Sequence, residues 1–320
     1  NGNYVYGVLA WNDTYQNWAQ TKYNSEIARW VWDRTSGVRD YTYQRDRMAM
    51  LLWNQGPATA TPAAFLPDST FFRGRGFYFY RTDWPSLGEY ATDGSIFTFF
   101  AGPFGGGHLQ EDQGAFSLTS QRVYFSRDSG YGSPAKESEA HNLVFIDGAG
   151  QHNAGSSVGI DGSIPNWNLN PFADYLQADL KDAYSTHSPL NDMDYPWPGT
   201  DWSWGYQGAN PMQKADRHVL TVKPSAEAPE YFILYDDMVK DGNSHTYDWT
   251  FHTETAYPLT TSANPVEVGP IGAFPQRLKI YFANPTFSSL SFSSAEYYMG
   301  GEDPPLTRLK ATVTGVSNPQ

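Results

Sequence analysis

The stretch Phe77-Tyr78-Phe79-Tyr80-Arg81 decides the fold class, because it is an aromatic run without a helical repeat. Aromatic and β-branched residues favour strands, in which successive side chains point to opposite faces. Nine further runs of this kind follow it along the chain. They are residues 96–101, 115–119, 123–126, 143–146, 218–222, 231–235, 247–252, 278–282 and 309–313. Ten strands without amphipathic helices between them predict a mainly β protein, a large antiparallel β-sandwich.

The beginning of the chain follows a different pattern. Ile27 and Val31 recur at a four-residue step, which is typical of a helix, and a Pro- and Thr-rich connection follows at residues 58–67. We therefore expect a short helical segment over residues 1–60 and the sandwich over residues 61–320. Between residues 147 and 212 the strand signal is weak, and we expect part of that stretch to be a loop that covers a sheet face.

Composition and charge exclude several classes of function. The 320 residues carry a net charge of −13, which repels phosphate backbones, and no basic stripe offsets it, so nucleic acid is not an expected partner. The chain has no cysteine, which excludes disulfides, thiolate metal sites and cysteine nucleophiles. No apolar run approaches the roughly 18 residues of a membrane span.

The densest group of chemically active residues is the Gly-rich turn Gly105-Gly106-Gly107-His108-Leu109-Gln110-Glu111-Asp112-Gln113-Gly114. Glycine lacks the Cβ that would keep a ligand away from the backbone, so a sugar ring could approach this turn closely. The alternative is a hairpin loop that carries one exposed histidine.

Two further polar groups lie where predicted strands begin and end. Asp128 follows the strand at 123–126, and His141 precedes the strand at 143–146. An aspartate and a histidine at strand ends could form a metal site or an acid–base pair. The alternative is that Asp128 caps a turn and that His141 is a hydrogen-bonded histidine at the rim.

The order of these motifs resembles the heparinase II/III-like family of polysaccharide lyases, over residues 66 to 254. The residues that carry the resemblance are Phe77-Tyr78-Phe79-Tyr80-Arg81-Thr82-Asp83-Trp84, Gly107-His108-x-x-x-Asp112-x-x-x-Phe116, Asp128-Ser129-Gly130, His141-Asn142, Asp147-Gly148-x-x-Gln151, Arg217-His218-Val219-Leu220, Asp236-Asp237 and His245-Thr246-Tyr247-Asp248-Trp249-x-x-His252. The resemblance implies a substrate cleft between an α/α toroid and the sandwich. The helices at 1–60 would then be the end of that toroid.

The resemblance also implies the reaction and some of its residues. Such enzymes cleave uronic-acid glycans by β-elimination, in which a base removes the C5 proton and an acid protonates the departing O4. His108 matches the sandwich-side catalytic histidine, as proton shuttle or as stabiliser of the C5 carboxylate. Arg81, Gln113 and Trp84 are the expected contacts to substrate.

A structural metal, usually zinc, is implied by the same resemblance. The matching positions here are Gln110, Asp128 and His141, so a glutamine replaces one histidine of the family pattern. An amide oxygen suits calcium or manganese better than zinc. A hydrogen-bonded Gln–Asp–His cluster without an ion is the alternative.

Two other functions remain open at this point: a uronyl C5-epimerase on the same scaffold, and a non-catalytic carbohydrate-binding sandwich. The expected substrate is an acidic polysaccharide, and the expected location is secreted or periplasmic. Residues 1–54 are too few to close a toroid, and they carry five tryptophans. We therefore expect an upstream helical portion as a partner, either as a separate chain or as part of a nicked precursor.

Overall fold

The computed structural model describes residues 67–83, 93–103, 110–127, 138–151, 162–185, 211–270, 275–283, 290–297 and 305–317. The chain divides into two compact units, one made of residues 1–68 and 81–94, the other of residues 69–80 and 95–320. The expected helical segment at 1–60 lies outside the described residues. The domain boundary expected at residue 60 therefore stays a prediction.

The described part of the second unit consists almost entirely of β-strands, and every strand pair within the described ranges is antiparallel. The strands are β1 (Ser69–Phe72), β2 (Phe77–Arg81), β3 (Ser95–Phe100), β4 (Phe116–Ser120), β5 (Val123–Ser126), β6 (Val144–Ile146), β7 (Ser163–Leu169), β8 (Ala173–Asp179), β9 (Lys214–Val222), β10 (Tyr231–Val239), β11 (His245–Glu254), β12 (Leu259–Thr260), β13 (Val266–Val268), β14 (Leu278–Ile280), β15 (Ser291–Tyr297) and β16 (Leu306–Val316). A 3-10 turn lies at Ser138–Ala140, and a short helix, α1, at Lys181–Ser185. Within the described ranges, no helix combines the length and apolarity needed to cross a bilayer.

Two sheets pack against each other through aromatic side chains. The first has the strand order β1-β2-β3-β4-β5, and the second has the order β10-β9-β8-β7. Phe232 of the second sheet stacks on Phe97 of the first, with ring centroids 4.7 Å apart, and also meets Tyr80 at 5.9 Å. Burial of rings of this size is the main stabilising term of such a core.

A buried carboxylate joins the same two sheets. Asp174 of β8 is fully buried, and it accepts a hydrogen bond of 2.8 Å from the Tyr78 hydroxyl of β2. Lys223 lies 3.1 Å from its other oxygen, so the charge is paired as well as hydrogen-bonded. A buried carboxylate is tolerated only when it has such partners.

A third sheet, β15-β16-β11-β6, continues the core, and a fourth small sheet has the order β12-β13-β14. Trp249 and Phe251 of β11 lie 6.1 and 6.3 Å from the Phe116 ring of β4. β11 also pairs with β6, with Trp249 opposite Val144. The arrangement brings the beginning of β6 next to the connection that leads into β4.

The predicted sandwich is confirmed, and each of the ten predicted strands overlaps an observed one. Two strands that no sequence signal predicted, β7 and β8, lie within residues 147–212, and the loop expected in part of that stretch stays a prediction. β7 is a sheet-edge strand with the sequence SIPNWNL and is mostly exposed, so it lacks a buried apolar face. In β8 the buried position 174 is an aspartate, which interrupts the alternation of polar and apolar residues.

Candidate functional site

Three connections between strands meet at one end of the sandwich: β3 to β4, β5 to β6, and the turn after β6. Their described portions are residues 110–115, 138–143 and 147–151. Buried polar side chains join these portions to one another and to β9, β10 and β11. Most of the side chains that do so belong to the motifs that carry the family resemblance.

Asn142 is the first of these connecting side chains, and it is fully buried. Its amide nitrogen donates hydrogen bonds of 2.7 Å to the Phe116 carbonyl and 2.7 Å to the Ser126 hydroxyl. Its amide oxygen accepts the backbone N–H of His252 at 2.7 Å. Because a backbone N–H can only donate, the orientation of the amide is settled by that contact. Asn142 thereby ties β4, β5 and β11 together directly beside His141.

Arg217 is the second connecting side chain, and only 1% of its surface is exposed. Its Nε and Nη2 donate to the two oxygens of Asp236, at 2.6 and 3.0 Å. Its Nη1 donates to the carbonyls of Gly114 and Asn142, both at 2.8 Å. We call Arg217, Asp236 and these two carbonyls the Arg217 clamp. Burial opposes the guanidinium charge, but Asp236 outweighs it and raises the pKa of Arg217.

Ser138 holds the Gly-rich turn through a separate set of hydrogen bonds. Its N–H and its hydroxyl donate to the same oxygen of Glu111, at 2.9 and 2.6 Å. The Ser138 oxygen in turn accepts the backbone N–H of Gln151 at 2.8 Å. Burial raises the pKa of Glu111 to about 7, although the two Ser138 donors act in the opposite direction.

Gln113 and Gln151 form a reciprocal pair in the interior. The Gln113 N–H donates to the side-chain oxygen of Gln151 at 3.0 Å, and the Gln151 amide nitrogen donates back to the Gln113 carbonyl. The side chain of Gln113 accepts the N–H of Gly102 at 2.9 Å. A Cβ at Gly162 would lie 2.3 Å from the Gln113 side-chain oxygen, so a larger residue there would displace the side chain that accepts the Gly102 N–H.

Three of the predicted site residues, His108, Trp84 and Asp128, lie outside the described residues, and their roles stay predictions. Arg81 lies at the end of β2, and its Nε donates to the Asp83 carbonyl at 2.7 Å. Gln113 is 1% exposed, and its side chain supports the backbone of the site in the contacts described above. Contact of Arg81 or Gln113 with substrate also stays a prediction.

The predicted metal ligands are only partly described. His141 is fully buried beside Asn142, and Gln110 is half-buried at the beginning of its segment. Within the described ranges no group of three or more His, Cys, Asp or Glu side chains could hold a metal ion. Two donors are too few for the six to eight ligands of calcium or the four of zinc, so the described residues do not by themselves fit a metal.

Sequence reasoning assigned no role to Arg217, Asn142, Ser138 or Gln151. The signal for three of them was present, since they stand in the motifs of the family resemblance. What sequence could not give is their burial, because an arginine and two amides are usually exposed. Ser138 stands in no motif, and nothing in its surroundings along the chain marks it.

A second polar cluster lies at the turn after β6 and is more open to solvent. His245 places its Nδ1 2.7 Å from Asp147 and its Nε2 2.9 Å from Asp241, and Lys240 donates to Asp147 at 3.0 Å. We call these four residues the Asp147 cluster. The bond to Asp241, followed by that to Asp147, raises the pKa of His245. Burial alone would raise the pKa of Asp147, but its donors lower it to about 2.

The structure resembles solved polysaccharide lyases at low sequence identity. The heparan sulfate lyase HepC from Pedobacter heparinus is 16% identical with a TM-score of 0.56, over 94% of this chain and 40% of that one. A heparinase III is 14% identical with a TM-score of 0.56, over 92% of this chain and 39% of that one. The chain thus spans about 40% of the length of these enzymes. No curated protein matches the chain.

These likenesses show a shared fold, and a family match goes further. Residues 64–298 match the family described as Heparinase II/III-like, C-terminal. That range contains the Arg217 clamp, the Gly-rich segment and the whole set of motif residues quoted above. The chain therefore belongs to the heparinase II/III-like family, of which it carries the C-terminal domain.

Proposed function

We propose that the protein to which this chain belongs is a polysaccharide lyase that cleaves uronic-acid glycans by β-elimination. The observation that carries the proposal is the family match over residues 64–298. The meeting of the motif residues Asn142, Gln151 and Arg217 at one end of the sandwich supports it. At that end Arg217, Ser138 and Gln151 fix the segment that follows His108.

In this proposal the chain provides the sandwich side of the cleft. His108 transfers a proton, or stabilises the substrate carboxylate while the C5 proton leaves. The electron pair released at C5 forms the C4–C5 double bond, and O4 departs with a proton. Arg81 and Trp84 contact the sugar chain, by charge and by stacking respectively. Gln113 contacts the substrate beside them, from the Gly-rich turn.

The other members of the site lie outside this chain. The partner is an upstream helical portion that supplies the opposite wall and the remaining acid–base groups. The location is secreted or periplasmic, where an acidic polysaccharide is accessible. A divalent ion held by Gln110, Asp128 and His141 would stabilise the loops under the cleft, and no step above depends on it.

Replacement of His108 tests this function. In the complete protein, with heparan sulfate as the first substrate because the structural relative HepC is named a heparan sulfate lyase, wild type should release unsaturated uronate that absorbs in the ultraviolet. His108→Ala should lower turnover by roughly 10²–10⁴-fold, the usual contribution of a positioned acid–base group. Alginate and chondroitin sulfate should be assayed in parallel.

The matched control is His218→Ala. His218 lies on β9, and its Nδ1 lies 2.7 Å from the Tyr175 hydroxyl, so it has no place in the proposed reaction. Its replacement should leave turnover within a few-fold of wild type. Equal activity of wild type and His108→Ala would remove His108 from the mechanism. Isomerised uronate without chain cleavage would instead favour the C5-epimerase.

A further inference from the structure

We propose that Arg217 is a positioning residue for the proposed lyase reaction, because its guanidinium holds the segment after His108 against His141 and Asn142. The inference rests on the proposed function. It assigns to Arg217 no contact with substrate. The role is to fix the relative position of two segments that meet in space and come from different connections between strands.

The geometry of the Arg217 clamp carries this inference. One nitrogen, Nη1, donates to the Gly114 carbonyl and to the Asn142 carbonyl, both at 2.8 Å. Gly114 is the last residue of the Gly-rich turn that contains His108, and Asn142 directly follows His141. A single planar group therefore sets the distance between the two backbones.

The clamp requires an arginine. Nε and Nη2 both donate to Asp236, which leaves Nη1 for the two carbonyls. Lysine offers one compact ammonium on a flexible stem and cannot reproduce this fork. The Phe116 ring lies 6.0 Å from the guanidinium carbon and adds a contact from β4.

Gly114 can receive this bond only in an unusual backbone conformation. Its φ is +85°, and a Cβ there would lie 2.6 Å from a methyl group of Leu180. Its N–H donates to the Phe100 carbonyl at 2.6 Å, so the residue is held on both sides of its peptide. Such a conformation persists only when its surroundings fix it, and it turns the Gly114 carbonyl toward Arg217.

The positioning of the two segments does not depend on the charge of Arg217. Asp236 neutralises it within the clamp, at 2.6 Å. Removal of the charge partner should therefore cost stability without moving the two segments, whereas removal of the fork should move them. A misplacement of about 1 Å in an active site can cost on the order of 10²-fold in rate.

The experiment compares Arg217→Lys with Asp236→Asn in the complete protein. Arg217→Lys should lower kcat for unsaturated-uronate release by about 10- to 100-fold with KM within about two-fold, because substrate contacts are kept. Asp236→Asn keeps both Nη1 bonds, so it should lower the melting temperature at least as much and leave kcat within about three-fold. A loss of kcat that simply follows melting temperature across the two variants would overturn the proposal.

A second variant covers the case in which Arg217→Lys fails to fold. The pair Arg217→Gln with Asp236→Asn removes both charges together, which spares the fold the cost of an unpaired buried charge. Its kcat should fall as in Arg217→Lys, and wild-type kcat would refute the positioning role. If wild type releases unsaturated product and the variants have the same kcat as wild type, only this inference is refuted. No unsaturated product from wild type refutes the proposed function and the inference with it.

Discussion

The Arg217 clamp and the Asp147 cluster both attach a turn to the strands β9 to β11, but they differ in exposure to solvent. The Arg217 side chain is 1% exposed, whereas that of Asp147 is 41% exposed. The clamp contains a guanidinium that stays charged throughout the ordinary pH range. The cluster contains a histidine, which changes its charge near neutral pH.

This difference assigns separate tasks to the two regions. Charges in a dry interior interact strongly, and removal of one partner leaves the other unpaired at high cost. Charges near solvent are screened, and their pairs contribute little. The Arg217 clamp thus depends on an almost fully buried guanidinium, while the Asp147 cluster depends on more exposed groups that respond to pH and salt.

The largest effect is expected for Arg217→Met. It leaves Asp236 and two carbonyls without their donor, and it should lower the free energy of unfolding by roughly 3–5 kcal/mol. Denaturant unfolding followed by tryptophan fluorescence measures it. Arg217→Met combined with Asp236→Leu should cost less than the single change, since no charge is then left unpaired. A loss below about 1 kcal/mol for Arg217→Met would show that the clamp is not a buried, fully paired contact.

A smaller effect is expected for Ser138→Ala at the same end. The change removes two partners at once, the donor to Glu111 and the acceptor for the Gln151 N–H. A buried polar group left unpaired costs about 1–3 kcal/mol, and the same denaturant titration should show that loss. Ser294→Ala on the exposed face of β15 is the matched control and should change stability by less than about 0.5 kcal/mol. Equal losses in the two variants would contradict the buried network.

The smallest effect is expected for His245→Gln, and it should depend on pH. The pKa of His245 is raised in the folded state, so its contribution to stability is complete below the unfolded value of about 6.5. That contribution is lost as pH rises through the raised folded pKa. His245→Gln should therefore lower the melting temperature at pH 5.5 and change it little at pH 9.

At low pH, the contribution of the Asp147 cluster to stability is limited by Asp147. Its folded pKa is about 2, below the usual value near 4, so its contribution is present above about pH 4 and is lost as pH falls toward 2. The Asp147 cluster should thus stabilise the fold most between about pH 4 and 6.5, and added salt should reduce the effect. A difference between wild type and His245→Gln that is constant from pH 5.5 to 9 would contradict this account.

The sequence was sufficient to predict most of the sandwich because its strands carry strong local signals. β2 alternates exposed and buried residues, β3 alternates buried and half-buried ones, and their aromatic runs mark both strands without tertiary context. β7 and β8 could not be recognised from that alternation. A polar edge strand and a buried Asp174, which is stable only beside Tyr78 and Lys223, depend on partners distant in the chain.

The site was predictable in part, for the same physical reason. The motifs identified the segments that meet, including His141-Asn142 and Arg217, but no spacing along the chain reveals which side chain contacts which carbonyl. Gln113 was expected to contact the substrate, and Asn142 was assigned no role. The structure shows the side chains of both in buried contacts with backbone groups. Such contacts follow from the meeting of strands that are far apart in sequence.

The most direct test of the central claim is the mass of the products that the complete protein releases from a defined heparan sulfate oligosaccharide. β-Elimination divides the chain without consuming water, so the masses of the two fragments should add up to that of the substrate. One fragment should also carry the ultraviolet absorbance of an unsaturated uronate. Fragments that together contain one additional water, with no ultraviolet absorbance, would show hydrolysis and contradict the account.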